Sequence, residues 1–383
     1  MGKGSSSAAS LPTRPPAVPA PVGRWVPDIL GPGFEARTLE LPRDNEGELC
    51  ATLVRHLPED DPWAISNTPA EPSFIFLFIH GWNDYFFQRE LARHISLAGG
   101  AFYAIDLCKY GRSLRKWQTF GWTEDLLSYD LDIYAALEVM REEHPDLPLV
   151  LAGHSTGGLT AAYWVNRHRD QVAGLLLDSP WIEMAGGTSQ RFGARALAEL
   201  FSRRAAKKEV PLQSADSAYV NSLMGWDRKV DGTLPKRLEL WMQDPSLQGW
   251  PLVSSWKGTP DALVRFGWVR AITIAQKKLL AGEATEVPTY FLTSTASSTG
   301  KRKREMMFTD SVLNVQTMCG NAWRLSRQVT MERYPGKHDL FLSFPDVRQE
   351  VWFGIHRWLG QALPGQARPV GEIGETTARA ICP

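Results

Sequence analysis

Leu147-Pro148-Leu149-Val150-Leu151-Ala152-Gly153-His154-Ser155-Thr156-Gly157-Gly158-Leu159 is the stretch on which the reading of this chain turns. Residues 149–152 form an apolar run of strand length that leads straight into Gly153-His154-Ser155-Thr156-Gly157, a G-x-S-x-G pattern. Residues 158–165 have helical composition, so the motif spans a strand-to-helix turn, the context it requires. The backbone bends so sharply at such a turn that side chains two positions either side of the serine would collide, and Gly153 and Gly157 remove them. Ser155 then stands at a helix N-terminus, where backbone N–H groups and the helix dipole favour developing negative charge. That makes Ser155 the candidate nucleophile.

The flanking sequence supplies a sheet for this turn. Residues 34–41 and 49–56 are β-leaning runs separated by the turn-formers Pro42 to Gly47 and read as a hairpin. Residues 73–79 are apolar almost throughout, as in a parallel strand covered on both faces, and end in His80-Gly81-Trp82. Residues 84–98 have helical character and 101–105 form another strand. A helix is expected to start at Thr123 and to bury Leu127, Leu131, Tyr134 and Leu137. Residues 173–178, 287–292 and 328–333 are further strands, and 347–359 a closing helix. Strand and helix alternating in this way predict an α/β fold, a mostly parallel central sheet with helices on both faces.

The alternation breaks between residues 182 and 258, which contain short helical pieces such as 193–206 and the tryptophans Trp226, Trp241, Trp250 and Trp256. This segment is expected to be an inserted helical lid, with its aromatics serving partly as a core of its own. The expected organisation is a Pro-, Ala- and Ser-rich disordered leader over 1–22, a core of 23–181 and 259–363, the lid over 182–258, and a loosely ordered tail over 364–383.

A serine hydroxyl is a poor nucleophile until a base takes its proton, and in this architecture the partners follow in the order serine, acid, histidine. Of the 8 histidines, His338 alone lies beyond the last strand in a Gly-containing loop before the final helix. The acid should follow strand 287–292, where the chain has no carboxylate; the next acids are Glu305 and Asp310. Asp310 opens an apolar helical segment and is taken as the acid, with Glu305, behind the basic run 301–304, as the alternative. The main-chain N–H groups of Trp82 and Thr156 are the expected oxyanion donors, and His80 is expected to brace its loop.

Composition narrows the function. The formal net charge is +0 and the pI about 7.1, so no whole-protein field gathers nucleic acid or an anionic membrane. The 4 cysteines, Cys50, Cys108, Cys319 and Cys382, form no C-x-x-C pair and read as free thiols of a reducing compartment. No apolar run is long enough to span a membrane, and without an apolar h-region behind a basic start in the first residues, a secretory signal is not expected. The expectation is a cytoplasmic protein without stable membrane insertion. The motifs call for no cofactor or metal, and the oligomeric state is left open.

Taken together, His80-Gly81-Trp82, residues 106–113, Gly153-His154-Ser155-Thr156-Gly157-Gly158, residues 175–181 and Lys337-His338-Asp339 resemble the monoacylglycerol lipase and lysophospholipase branch of the α/β-hydrolases, grouped with the serine aminopeptidases. The resemblance covers roughly 34–360 apart from the lid. It implies hydrolysis of a lipophilic carboxylic ester, Ser155, Asp310 and His338 as the triad, and an acyl chain lying under the lid. Two departures stand out: the acid lies beyond an insertion, and Thr156 replaces the more frequent methionine. Acyl transfer, amide or lactone hydrolysis by the same triad, and a non-catalytic binding protein are the alternatives.

Overall fold

The computed structural model describes residues 15–16, 18–184, 205–210, 215–257, 262–299 and 301–382. Nine strands form one sheet: β1 (Val26–Pro27), β2 (Phe34–Asp44), β3 (Gly47–His56), β4 (Phe74–Ile79), β5 (Gly100–Asp106), β6 (Leu149–His154), β7 (Gly174–Asp178), β8 (Thr289–Ser294) and β9 (Val329–Tyr334). Their order is β1-β2-β3-β5-β4-β6-β7-β8-β9. The first strands pair antiparallel, and from β5 onward every pairing is parallel.

The side-chain alternation of β4 shows why the apolar run folds this way. Phe74, Phe76 and Phe78 point into one core with Leu91 and Ile95 of helix α1 (Arg89–Leu97) and Val351 and Ile355 of the closing helix Pro345–Ala362. Ile75, Leu77 and Ile79 point into the other, with Ile133 and Met140 of α2 (Tyr129–Glu143), Leu159 and Trp164 of α3 (Thr156–Arg167), and Ile272 of the helix Phe266–Ala281. A strand sandwiched between two helical layers has no polar face, which explains a continuous apolar run. The result is the expected α/β sheet. It brings Ser155, at the end of β6, between the loops that follow β4 and β7.

The helix expected from Thr123 begins later. Asp125 accepts the Leu127 N–H and caps a 3-10 turn, Leu126–Ser128, before α2 starts at Tyr129. The buried face includes Tyr129, Ile133, Ala136, Met140 and the expected Leu137, and Leu127 packs against it, whereas Leu131 and Tyr134 are 46% and 43% exposed. The 3-10 turn shifts the helical phase, and Tyr134 instead gives its hydroxyl to His168 at the surface.

The tail also differs from expectation. Residues 370–378 carry two short helices, and Ile373 and Ala378 are buried against Ile65 and Leu97. His94 Nε2 donates to the Ala380 carbonyl at 2.8 Å, and Glu90 accepts the Cys382 N–H at 2.7 Å. Its few apolar residues form a face only against Ile65 and, in α1, Leu97, which are distant in sequence, and Phe353 of the closing helix. Most of the expected leader lies outside the described residues, but Thr38 Oγ1 donates to the Ala20 carbonyl and Val22 bridges Thr38, so the ordered chain reaches below residue 23.

Among the described residues, the 182–258 insertion is helical: Ala215–Ser222, Arg228–Asp231, the 3-10 stretch Lys236–Trp241 and Pro245–Gln248. Most of the expected 193–206 helix lies outside them. Buried polar bonds fasten residues 222–257 to the core. Lys337 Nζ donates to the Ser222 carbonyl at 2.7 Å, Lys257 pairs with Asp84 at 2.6 Å, Arg348 pairs with Asp244 at 2.7 Å, and the Val253 N–H meets the Tyr85 hydroxyl at 3.0 Å. Trp256 is buried and Trp226, Trp241 and Trp250 pack against hydrophobic clusters, so these tryptophans serve as core. Among the described residues, no helix is long and apolar enough to cross a membrane.

Candidate active site

Ser155 stands in a backbone conformation that few residues adopt, with φ +54° and ψ −116°. The turn around it is too tight for side chains. A Cβ on Gly157 would lie 2.2 Å from the His80 carbonyl oxygen, and one on Gly153 would lie 2.4 Å from the Gly157 carbonyl oxygen. The Ser155 N–H donates to Asp178 O at 3.0 Å and its carbonyl accepts the Trp181 N–H at 2.9 Å, so the next strand end holds the strained residue.

The loop after β4 passes against this serine. A Cβ on Gly81 would lie 3.2 Å from Ser155 Cβ, so glycine permits the approach. His80 braces the loop: its Nδ1 meets the Gly81 carbonyl at 2.7 Å and its Nε2 receives the Leu107 N–H at 3.1 Å. These partners require the neutral ring with hydrogen on Nδ1, and full burial pushes its pKa down in agreement. The Thr156 N–H is the first of α3 and has no intrahelical acceptor. No acceptor for it or for the Trp82 N–H occurs among the described residues.

Asp310, and not Glu305, reaches the histidine. Asp310 Oδ2 lies 2.8 Å from His338 Nδ1, and Oδ1 accepts the N–H groups of Val312 and Leu313 at 2.8 and 2.7 Å. Bridging between Ser297 and Asp310, with the Asp310 N–H donating to Ala296 at 2.9 Å, returns the chain to the end of β8 after its insertion. The Glu305 carboxylate pairs with Arg302 at the surface. Ser155 and His338 are 7% and 3% exposed, and the ring of His154, beside the serine, lies 4.7 Å from that of His338. The structure thus brings the serine turn, the Gly81-Trp82 loop and the Asp310–His338 pair to one end of the sheet.

An aromatic wall adjoins them. Trp82 packs on Trp268 at 4.0 Å between ring centroids, Trp181 on Trp268 at 5.8 Å, and Trp82 on Phe120 at 5.8 Å.

Sequence reasoning missed a buried charged layer here. Asp84, His154, Asp178, Lys257 and Asp339 are all under one-tenth exposed. A ring nitrogen of His154 and a carboxylate oxygen from each of Asp84 and Asp339 lie within 4.8 Å of one another, a spacing that suits a cation. The Lys257 ammonium, 2.6 Å from Asp84 Oδ2, supplies one from the protein itself. The signal available in the sequence was an acid closing an otherwise apolar strand, as Asp178 closes Leu175-Leu176-Leu177.

The model of the family described as serine aminopeptidase, S33, matches residues 70–310. The chain belongs to that family. Ser155 and Asp310 lie inside the matched span and His338 beyond it. Among solved structures, the chain is similar to a soluble variant of monoglyceride lipase from Saccharomyces cerevisiae, at 17% identity and a TM-score of 0.54 over 85% of this chain and 96% of that one. It is similar to a thermostable carboxyl esterase from Bacillus coagulans, at 18% identity and a TM-score of 0.54 over 85% and 98%. A thermophilic esterase from Thermogutta terrifontis shares 16% identity with a TM-score of 0.51 over 85% and 99%. These likenesses establish the α/β-hydrolase fold that the family uses. No curated protein matches the chain in sequence.

Proposed function

We propose that this chain is a serine hydrolase that cleaves a lipophilic carboxylic ester, of the monoacylglycerol or lysophospholipid kind, through an acyl-enzyme on Ser155. The observation that carries the reading is the 2.8 Å contact of Asp310 with His338 Nδ1 at the same sheet end as the strained Ser155. In the mechanism, Ser155 Oγ attacks the carbonyl carbon while His338 Nε2 takes its proton. The Trp82 and Thr156 N–H groups hold the oxyanion, each worth about 10² to 10³ in rate. His338 returns the proton to the leaving alcohol, and water activated by the same ring then releases the acid from Ser155. Asp310 fixes the ring with hydrogen on Nδ1 and stabilises its charged form.

Trp82 and Trp181, partly exposed and packed on the buried Trp268 beside the serine turn, support a lipophilic acyl group, because such rings offer apolar surface to an alkyl chain. The free cysteines, with Cys50 and Cys108 buried, suit a reducing compartment, in keeping with a cytoplasmic protein. A second reading, cleavage of an amide, draws on the family description and would use the same residues.

Labelling with a fluorophosphonate probe, run beside hydrolysis of p-nitrophenyl esters of increasing chain length and of aminoacyl p-nitroanilides, tests this. Wild type should label and turn over esters best, with an optimum beyond acetate, and Ser155→Ala should do neither. Preference for the anilides would favour the amide reading. Folded wild type that neither labels nor hydrolyses any substrate would end the hydrolase reading in favour of a binding protein.

A further inference from the structure

The charged layer beneath the serine has a composition that constrains His154. Three carboxylates, those of Asp84, Asp178 and Asp339, are buried there, and Lys257 is the ammonium bonded to one of them. Buried carboxylates left without compensating charge are costly, so a proton on the remaining basic group of the cluster, His154, is favoured. The geometry offers it a place. His154 Nδ1 lies 3.2 Å from both the main-chain carbonyl oxygen and Oδ2 of Asp178, and its ring faces Asp84 and Asp339. Those carboxylates push the His154 pKa up to about 9 against the opposing effect of burial.

The same carboxylates organise the loop that carries His338. Asp178 Oδ2 accepts the Leu340 N–H at 3.1 Å. Asp339 Oδ1 accepts the Phe341 N–H at 3.0 Å and Oδ2 accepts from Gln88 Nε2 at 2.9 Å. The Asp339 N–H meets the Tyr219 hydroxyl at 3.2 Å, and the Tyr219 ring stands edge-on to His338 at 5.7 Å. The neighbouring Lys337 turns away, its Nζ bonded to the Ser222 carbonyl.

We propose that His154 is a positioning residue of the hydrolytic site: bonded to Asp178 and facing Asp84 and Asp339, it carries a positive charge against the ring of His338 and thereby limits how readily that ring holds a proton. Without this charge, the ring of His338 would face Asp310 and the three buried carboxylates with Lys257 as the compensating cation of the layer, a surplus of negative charge that favours its protonated form. With it, the layer's net charge falls from −2 to −1 beside the ring that must both accept and release the proton. Asp178 itself ties the two segments together: its carbonyl takes His154 Nδ1 and the Ser155 N–H, and its carboxylate takes the Leu340 N–H of the His338 loop. The proposal rests on the hydrolase reading for its kinetic consequence and not for the charge itself.

The test separates charge from hydrogen bonding. In His154→Gln a neutral amide can still donate to Asp178, so the acid limb of kcat/KM against pH should move up by at least about one pH unit. Adding Asp339→Asn, which removes one negative charge and keeps an oxygen for the Phe341 N–H, should bring the limb back toward its wild-type position. A merely structural role would lower kcat without moving the limb in these opposite senses. A folded His154→Gln variant with an unmoved limb overturns the proposal. Should that variant fail to fold, Asp339→Asn alone should move the limb down, and a stationary limb overturns the proposal equally.

Nitrogen-15 NMR of the histidine rings in Ser155→Ala reads the same field without turnover. His154 should show the imidazolium pattern at pH 7.5, and a neutral His154 ring there overturns the proposal whether or not the protein hydrolyses esters. If no ester is cleaved, the hydrolase reading fails by itself, and the titration of the His338 ring with and without His154→Gln still decides the coupling.

Discussion

Asp310 Oδ2 meets His338 Nδ1 at 2.8 Å from the far side of an insertion that separates the acid from the end of β8. Its other oxygen is occupied by the Val312 and Leu313 N–H groups, so the carboxylate is locked in orientation before any substrate arrives. Asp310→Asn should therefore keep the fold and lower kcat by about 10⁴, because the amide favours the wrong ring tautomer. Glu305→Gln should stay within about threefold of wild type, its partner being an exposed arginine. Steady-state kinetics on a p-nitrophenyl ester decides it, and the reverse pattern would move the acid to Glu305.

Gly157 has no room for a methyl group: its Cβ would overlap the carbonyl oxygens of His80 and Ile79, both main chain. Gly157→Ala should cost about 1 to 3 kcal/mol or more in stability and push the Ile79-His80 main chain away from the serine turn. Urea unfolding together with fluorophosphonate labelling would show both losses. A variant as stable and reactive as wild type would mean that the turn is looser than described.

Arg348 is almost wholly buried between Glu90 of α1 and Asp244 of the insertion, at 2.6 and 2.7 Å. Arg348→Ala leaves two carboxylates without their cation and should cost about 3 to 5 kcal/mol. It should also raise hydrogen exchange in the 222–257 segment before the sheet. Exchange rising uniformly across the chain would show that this ion pair does not specifically anchor the insertion.

Asp132 is a buried carboxyl that the proposed mechanism does not use. Oδ1 accepts the Cys108 N–H at 2.6 Å, Oδ2 has no partner among the described residues, and burial pushes the carboxyl up to about 7. The unfolded chain releases this proton near 3.8, whereas the folded one keeps it to about 7. The resulting contribution to stability is fully present below pH 3.8 and is lost as pH rises to 7, by up to about 4 kcal/mol. Asp132→Asn, which keeps an acceptor for Cys108, should then be more stable than wild type at pH 8, with the difference closing toward pH 4. Denaturation midpoints at the two pH values check this, and a pH-independent difference would contradict it.

Much of this site was legible in the chain. Ser155, the two glycines and the preceding apolar strand form one local pattern, and local sterics allow a G-x-S-x-G turn of this kind few other arrangements. His338 follows the last strand in the sequence, as the proposed base would, and the structure pairs its Nδ1 with Asp310. Asp310 was chosen over Glu305 by its local setting, and the structure seats it on His338. Leu127 and Leu137 join the core as expected, whereas Leu131 and Tyr134 do not, because the 3-10 turn at Leu126–Ser128 offsets the helix and periodicity alone cannot locate such a turn. The ordered tail was missed because Ile373 and Ala378 become a buried face only against Ile65 and Leu97.

The sequence by itself determined the elements whose physics is local: the alternating apolar strands and helices of the sheet, and the glycine-flanked turn that carries Ser155. Only the tertiary structure decided which acid meets His338, how residues 222–257 are fastened to the core, and that Asp84, Asp178, Asp339, His154 and Lys257 share one buried layer. The reason is the range of the interactions. A turn or a strand face is fixed by neighbours a few residues away, whereas the charge balance of a buried cluster sums over groups that the chain brings together from its whole length, and no spacing in the sequence encodes that sum.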